Sequence, residues 1–400
     1  MNLFASNHYT NIPILLYFLN NSFTFALFSN ESNQMNINTL HHKALELKPL
    51  SLEEGIMLYR ELEPSRLFSL AQQIRFIHVP EKRVSWQIDR NINYTNVCIS
   101  GCLFCNFHCK VSEKDKSYTI NEDELKEKIA HLRELGGDQI LLQGGLHPLY
   151  DINYYEELLK TIKSIDPGIK LNAFGPPEVS HIAKLSSLSV SDTLKRLVKA
   201  GLDTLPGAGA EILSDRVRKT LSPGKPTSGQ WLDVMGEAHK LGLGTTATMV
   251  YGHIETLEER IEHLLSIRDL QARKPLNSPG FRAFICWPMQ TEGTKFAEKF
   301  PVSEISAVEH LKMTAISRIM LNNVKHIQAS WLTVGKEIGM LALHSGADDM
   351  GSIMIEENVV SSAGAEHQMG AAEMQNTIID TGFEPWLRGQ DYMPRVTSLS

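Results

Sequence analysis

The sequence predicts an α/β protein built as a (β/α) TIM-type barrel, with an N-terminal helical collar and a C-terminal segment that closes it. Three observations carry that expectation. From about residue 51, two helical stretches give way to short apolar, β-rich runs alternating with amphipathic helices, the order that parallel β/α units produce. No low-complexity linker or Pro/Gly-rich hinge divides residues 81–390. Glycines and polar residues fall just after successive strand candidates, where barrel enzymes place their chemistry.

Taken in order, residues 12–29 carry no charge and are long enough to resemble a membrane span. Asn20 and Asn21 sit at the centre of that stretch, however, and no Lys or Arg precedes it, against the pattern of both signal peptides and membrane helices. Residues 1–34 are therefore read as an appended leader or a mis-assigned start, with Met35 opening the functional chain and no membrane association expected. Residues 35–80 supply the helical collar, and residues 81–400 the barrel with its C-terminal extension. The strand candidates are Val84 to Ile88, Gln139 to Gln143, Lys170 to Phe174, Thr245 to Val250, Gly280 to Ile285 and Ile327 to Ser330. Between them, Leu125, Ile129 and Leu132 repeat at helical spacing after Asn121, and Thr256 with Glu259 forms a capping box before another helix.

A chain of 400 residues with 42% hydrophobic content can bury one large core, and such barrels commonly use about 250 residues as a single domain. The net charge of -7 gives no long-range attraction for nucleic acid or anionic lipid, so a small-molecule substrate is expected. Five cysteines, four of them crowded between positions 98 and 109, make a poor disulfide framework and good material for a metal or cluster. That points to a reducing compartment, the cytoplasm.

The run from Cys98 to Cys105 gives C-x3-C-x2-C. Iron-sulfur clusters normally take four cysteine thiolates, so Cys98, Cys102 and Cys105 alone would leave one coordination position for substrate or cofactor. Cys109 could supply a fourth ligand, giving a closed cluster or a structural zinc site. The loop follows a β-rich run, and Gly144-Gly145 follows the next strand where a ligand could approach backbone closely, both of which favour the cluster.

This spacing, with Phe104 before the last cysteine, resembles the signature of the radical S-adenosylmethionine superfamily. The resemblance implies the radical SAM fold, with a [4Fe-4S] cluster on Cys98, Cys102 and Cys105 and S-adenosyl-L-methionine as cofactor. Phe104 would lie along the adenine, and the Gly144-Gly145 backbone would meet the methionyl amino group. Over roughly residues 50–390, Ile88 to Cys98, Gln143 to Pro148 and Gln328 to Trp331 are similar to the group containing the futalosine-pathway menaquinone enzymes and the deazaflavin synthases. Pro206 to Leu213, Phe284 to Gln290 and Gly351 to Val360 are similar to dehypoxanthine futalosine cyclases in particular. Two departures stand out: Cys286 stands where the resemblance implies a proline in many relatives, and the leader has no counterpart in the family pattern. The implied reaction removes the ribose C4′ hydrogen of dehypoxanthine futalosine and closes a ring, with a low-potential flavodoxin or ferredoxin as electron donor. Aminofutalosine synthase and a deazaflavin synthase subunit are the sister activities; a zinc-stabilised module without catalysis is the distant alternative.

For the cofactor's ribose and carboxylate the candidates are Glu211 with Arg216 or Arg218. On a short helix those arginines point about 200° apart, so one faces solvent, and Arg218 is the one favoured. His147 and His253 are the candidate proton acceptors or substrate partners, although each could equally satisfy its own loop's backbone. Trp331, Trp287 and Gln290 could wall the aromatic substrate, and only one of Glu356 and Glu357 can face a pocket if they lie on a strand.

Overall fold

The computed structural model describes residues 37–395, apart from 303 and 366; the leader at 1–34 lies outside the described residues. After a helix over residues 37–45, the collar continues with a pair of helices, Leu52–Glu61 and Pro64–His78. The first starts at a capping box between Ser51 and Glu54. The second opens on a proline, where a missing N–H costs nothing, and buries Leu67, Leu70 and Ile74. It packs on the helix Ala307–Met320 of the outer ring.

Ten strands follow: β1 (Arg83–Gln87), β2 (Asp89–Asn93), β3 (Gln139–Gln143), β4 (Lys170–Ala173), β5 (Thr204–Leu205), β6 (Gly244–Tyr251), β7 (Gly280–Pro288), β8 (His326–Gln328), β9 (Asp349–Ser352) and β10 (Glu384–Leu387). Every strand-to-strand ladder is parallel, in the order β10-β1-β9-β8-β7-β6-β5-β4-β3-β2. β1 and β2 are one bent strand, interrupted only at Ile88. Chain running on from β9 climbs beside both halves: Ile353 N–H donates to the Gln87 carbonyl at 3.1 Å, Ile355 N–H to Asp89 at 3.1 Å, and Asn91 N–H to Ile355 at 2.9 Å. The two ends of the sheet therefore meet on this strand and the barrel closes, with β10 added outside. All six strand candidates are found; β2, β5, β9 and β10 are additions. Both anticipated helices are also present, Glu122–Glu134 behind an Asn121 cap and Leu257–Ala272 behind the Thr256–Glu259 box.

The apolar layer lies between strands and helices. Ile140, Leu142, Leu171, Ala173, Ala247, Met249 and Phe284 are fully buried there. Their neighbours at the strand period of two, including Asp89, Asn91, Asn93, Gln139, Gln143 and Thr248, face inward onto a cavity instead. Most such barrels fill their interior with branched apolar side chains; this one keeps a polar interior.

The C-terminal segment closes the end of the barrel away from the cysteines. β10 pairs with β1, and Arg388 then turns inward. Its Nε donates to Asp349 Oδ2 at 2.7 Å and its guanidinium to Gln87 Oε1 at 2.6 Å, with the Tyr392 ring 3.9 Å away. Among the described residues, no helix is long and apolar enough to cross a membrane.

Candidate active site

The cysteines ride on the long loop between β2 and the helix Glu122–Glu134. Asn96 organises it: its side chain donates to the Lys116 carbonyl at 2.9 Å, and its Oδ1 accepts the Tyr118 N–H at 3.0 Å and the Cys109 thiol at 3.3 Å. Backbone bonds from Cys98 to Cys109 and from Cys109 to Asn96 staple the two arms together at 3.1 and 2.9 Å. Further braces reach the rest of the barrel, from Ile99 to Leu146, Leu103 to Leu221, Gly224 to Ser100 and Phe296 to Leu103.

Cys98, Cys102 and Cys105 all border one cavity of about 440 Å³. None is cross-linked. The Ser100 hydroxyl sits 3.0 Å from the Cys98 sulfur and 3.3 Å from that of Cys102, which places these two thiols side by side. Burial pushes the Cys102 thiol up to about 11, with Lys225 the nearest charge pulling it back, so a bound cation is what would make it a thiolate. These residues fit a cluster held by three cysteines. They do not fit a four-cysteine site, because the Cys109 sulfur is turned to Asn96 and does not reach the cavity.

Phe104, Gly144, Gly145 and Glu211 border the same cavity. Glu211, at φ 41°, is buried with one carboxylate oxygen 2.7 Å from the Lys225 ammonium. Burial opposes its ionisation, but Lys225 and then Arg218 outweigh burial and hold the carboxyl below its ordinary value. Lys225 also lies 5.4 Å from the Phe104 ring centroid. The glycine pair is explained by the protein itself. A Cβ on Gly144 would lie 2.7 Å from the Tyr94 ring, and one on Gly145 only 2.2 Å from the Val97 carbonyl oxygen.

Four candidate residues lie off the cavity. Arg218 is buried but does not border the cavity; its guanidinium donates to the carbonyls of Pro226, Gly209 and Ala210 at 2.8, 3.1 and 2.6 Å, bracing the loop that carries Glu211. Arg216 faces solvent, paired with Glu259. His147 stacks on Tyr150 at 3.6 Å and accepts the Leu149 N–H, outside the cavity. His253 has both ring nitrogens engaged, Nδ1 at 2.7 Å from Glu255 and Nε2 at 2.9 Å from the Val250 carbonyl, and it too lies off the cavity. Both histidines hydrogen-bond within their own loops, and neither borders the cavity.

In their stead the cavity holds Lys225 and His108, which the sequence did not single out, and Glu178, from the Gly175-Pro176-Pro177-Glu178 loop that follows a strand candidate. Lys225 is the cation beside the cysteines; its signal was the Pro223-Gly224-Lys225 turn, where a Cβ on Gly224 would fall 2.7 Å from Ser100 backbone. His108 borders the cavity with Nδ1 at 2.8 Å from the Cys105 carbonyl. Glu178, from the Gly175–Glu178 turn, accepts from the Tyr94 hydroxyl, Gly144 N–H and Gly175 N–H at 2.9, 3.0 and 2.8 Å. Burial pushes its carboxyl up to about 7. Of the aromatic candidates, Trp287 borders the cavity with Gln290, whereas Trp331 is buried and donates to the Ser352 carbonyl at 3.2 Å. Glu357 borders the cavity while Glu356 turns away to Arg90 and Lys128, so one of the pair faces inward, from a loop rather than a strand.

Residues 92–267 match the family described as the radical SAM superfamily, and residues 278–400 match the CofH/MqnC C-terminal region. Over 342 residues the chain is 44% identical to a cyclic dehypoxanthine futalosine synthase of Streptomyces coelicolor, covering 85% of this chain and 84% of that protein. It is 39% identical to the protein of the same name in Halalkalibacterium halodurans, over 90% of this chain and 95% of that one. It is also 40% identical to a 5-amino-6-(D-ribitylamino)uracil–L-tyrosine 4-hydroxyphenyl transferase of Methanococcoides burtonii, over 85% and 94% of the two chains. Among solved structures, the FeFe-hydrogenase maturase HydG of Carboxydothermus hydrogenoformans superposes with a TM-score of 0.70 at 18% identity, over 94% of this chain and 85% of that chain. Methylornithine synthase does so at 0.64 and 20% identity, over 86% and 97%. At such identities these two likenesses speak for the fold alone.

Proposed function

Because the chain belongs to the radical S-adenosylmethionine superfamily, in the group that includes cyclic dehypoxanthine futalosine synthases, we propose that it converts dehypoxanthine futalosine to its cyclic form in menaquinone biosynthesis. The observation that carries the proposal is a shared wall. The cavity bordered by the three thiols is also bordered by Glu211, by Trp287 and Gln290, and by Met354, Glu357 and Val360, from the three segments similar to the cyclases.

Cys98, Cys102 and Cys105 would hold a [4Fe-4S] cluster, which with S-adenosylmethionine would supply the radical chemistry that the ribose C4′–H bond demands, a bond far outside the pKa range that side chains can be tuned to reach. The residues of this chain do the rest. Lys225 places a buried positive charge beside Cys102 and fixes Glu211, whose carboxylate is suited to accept ribose hydroxyls. Phe104 offers a flat apolar face for the adenine, and Arg218 holds the Glu211 loop without touching the ligand. Glu178 ties the Tyr94 hydroxyl to the Gly144 and Gly175 amides, so that the two loops after β3 and β4 move as one. Among the described residues bordering the cavity, His108 carries the one imidazole, and we assign it the proton that leaves on ring closure, the accompanying electron being one that the bound cluster would take up. A flavodoxin or ferredoxin in the cytoplasm is the expected reductant.

The test is anaerobic reconstitution with reductant, S-adenosylmethionine and dehypoxanthine futalosine, with products identified by mass spectrometry. A cyclised product two hydrogens lighter than the substrate is expected. The 40% identity to the methanogen transferase favours one second reading. Turnover of 5-amino-6-(D-ribitylamino)uracil with L-tyrosine, and none of dehypoxanthine futalosine, would replace the first with it.

A further inference from the structure

We propose that the floor of the barrel anchors the substrate's carboxylate, with Arg282, Gln87 and Gln390 as donors, so that its hydroxylated end points at the cysteine loop. The proposal rests on the cyclase reading above, whose substrate is a ribose bearing a benzoate-containing side chain, and specifies how that substrate is held.

Five buried polar atoms on side chains bordering the cavity have no partner in the protein. Three are donors, Gln87 Nε2, Gln390 Nε2 and Arg282 Nε, and two are acceptors, Asn91 Oδ1 and Gln139 Oε1. Gln87, Asn91 and Gln139 are only 2 to 3% exposed. Buried polar groups are almost always paired, so orphans gathered on one cavity argue for a ligand that completes them.

The donors are neighbours at the closed end of the barrel. Gln87 is held by Arg388, and Arg282 donates to the Asp391 carbonyl at 2.7 Å, on either side of Gln390 in the C-terminal segment. The two arginines differ in charge balance. Arg388 is neutralised by Asp349. Arg282 makes no ion pair with a carboxylate among the described residues, its bond to Asp391 being to backbone. Its reach depends on Gly244, where a Cβ would lie 2.4 Å from the Arg282 Nε. The acid nearest this floor on the bent strand, Asp89, is occupied by Ser352 and Gln139, and burial pushes its carboxyl toward the neutral form. The floor thus presents one uncompensated guanidinium and two amide donors, which is the chemistry of a carboxylate site.

The acceptors lie higher. Gln87, Asp89, Asn91 and Asn93 climb one strand toward the cysteine loop, and Gln139 is level with Asp89 in the β2–β3 register. The rise from Gln87 to Asn93 is about 20 Å, at roughly 3.3 Å per residue. Donors at the bottom and acceptors above them suit a molecule with a carboxylate at one end and hydroxyl hydrogens further up.

The experiment is a titration of reconstituted enzyme with dehypoxanthine futalosine and with its carboxamide analogue, followed by calorimetry, alongside the cyclisation assay. Arg282→Met is expected to weaken binding of the carboxylate ligand about 10- to 100-fold, as for loss of a charged hydrogen bond, and to leave the amide almost unchanged. Gln390→Leu, at a half-buried position on the closing segment, should narrow the same preference by a smaller factor with an unchanged melting temperature. Equal weakening of both ligands by both variants, or a wild-type enzyme that cyclises its substrate yet binds acid and amide alike, overturns the anchor and leaves the cyclase standing. A wild-type enzyme that neither binds nor cyclises dehypoxanthine futalosine overturns both.

Discussion

Gly145→Ala probes how tightly the cysteine loop is seated on the barrel. The added Cβ would lie 2.2 Å from the Val97 carbonyl oxygen, 2.6 Å from its carbon and 2.9 Å from the Cys98 Cβ. Ordinary contacts begin near 3.4 Å, so the end of β3 and the loop must part by about 1 Å. Neither side yields freely. Val97 is followed by the Cys98–Cys109 backbone bond, and Leu146, next to the substituted residue, accepts from Ile99 on the same loop. Overpacking of this kind costs about 1–3 kcal/mol. The displaced residue is one of the three proposed cluster ligands, and a misplacement of about 1 Å costs on the order of 100-fold in rate. Iron per chain after reconstitution, melting temperature and deoxyadenosine formation measure the three effects. All three should fall. The control is Gly229→Ala, on a helix where nothing lies within 4 Å of the new methyl, which should keep its iron and melt no lower. A Gly145→Ala enzyme with full iron and wild-type rate would refute the reasoning.

The other expectations follow from single contacts. Cys102→Ala should lose the iron chromophore while Cys109→Ala keeps it, since only the first thiol faces the cavity; elemental analysis decides. Asp348→Asn should destabilise the fold by about 3–5 kcal/mol in urea, because it strips the charge partner from buried Arg318 and His326. Burial opposes ionisation of Asp348, but His326 and Arg318 hold its carboxyl well below the ordinary range. Its stabilisation is therefore complete at neutral pH and is lost as pH falls below about 3.8. Glu178 runs the opposite way. With its carboxyl raised from 4.5 to about 7, the folded chain keeps a proton that the unfolded chain releases, so stability declines across that interval, by up to about 3 kcal/mol. Glu178→Gln should flatten the slope of the urea midpoint against pH. His147→Phe and His253→Asn should lower the melting temperature without changing deoxyadenosine formation per folded chain, because neither ring reaches the cavity.

The cysteine motif was legible because its chemistry is local: three thiols within eight residues must share one loop, whatever surrounds them. The outer barrel was legible where strands bury an apolar face, as in Gln139–Gln143 and Gly280–Pro288. β2 escaped notice because Asp89-Arg90-Asn91-Ile92-Asn93 reads as a polar loop, and only a hollow interior makes that composition a strand. β5 has two residues, β9 contains Gly351 at φ 87°, and β10 carries Pro385, so none offers a period to read. The histidines show the limit of positional reasoning. A place just after a strand fixes the neighbourhood of a side chain, while hydrogen bonds within the loop decide its direction, and for His147 and His253 those bonds point it away. Lys225 was hidden for the converse reason: its address depends on Gly224 meeting Ser100 far away in the chain, a contact no window of sequence contains.

Closure of the barrel on a single bent strand has a consequence for synthesis. The contacts that shut it join residues such as Asp89 and Ser352, 263 positions apart, so the first strand to leave the ribosome waits with one flank bare until the last staves arrive. Loop closure over such a span is slow, and an unpaired strand edge invites misassembly with other chains. The cysteine loop is better timed. Its braces at Leu221, Gly224 and Phe296 are all translated before Ile353 and Ile355 can seal the wall. A nascent chain therefore carries all three thiols on a loop already braced from Leu221, Gly224 and Phe296 while the wall beside it still stands open.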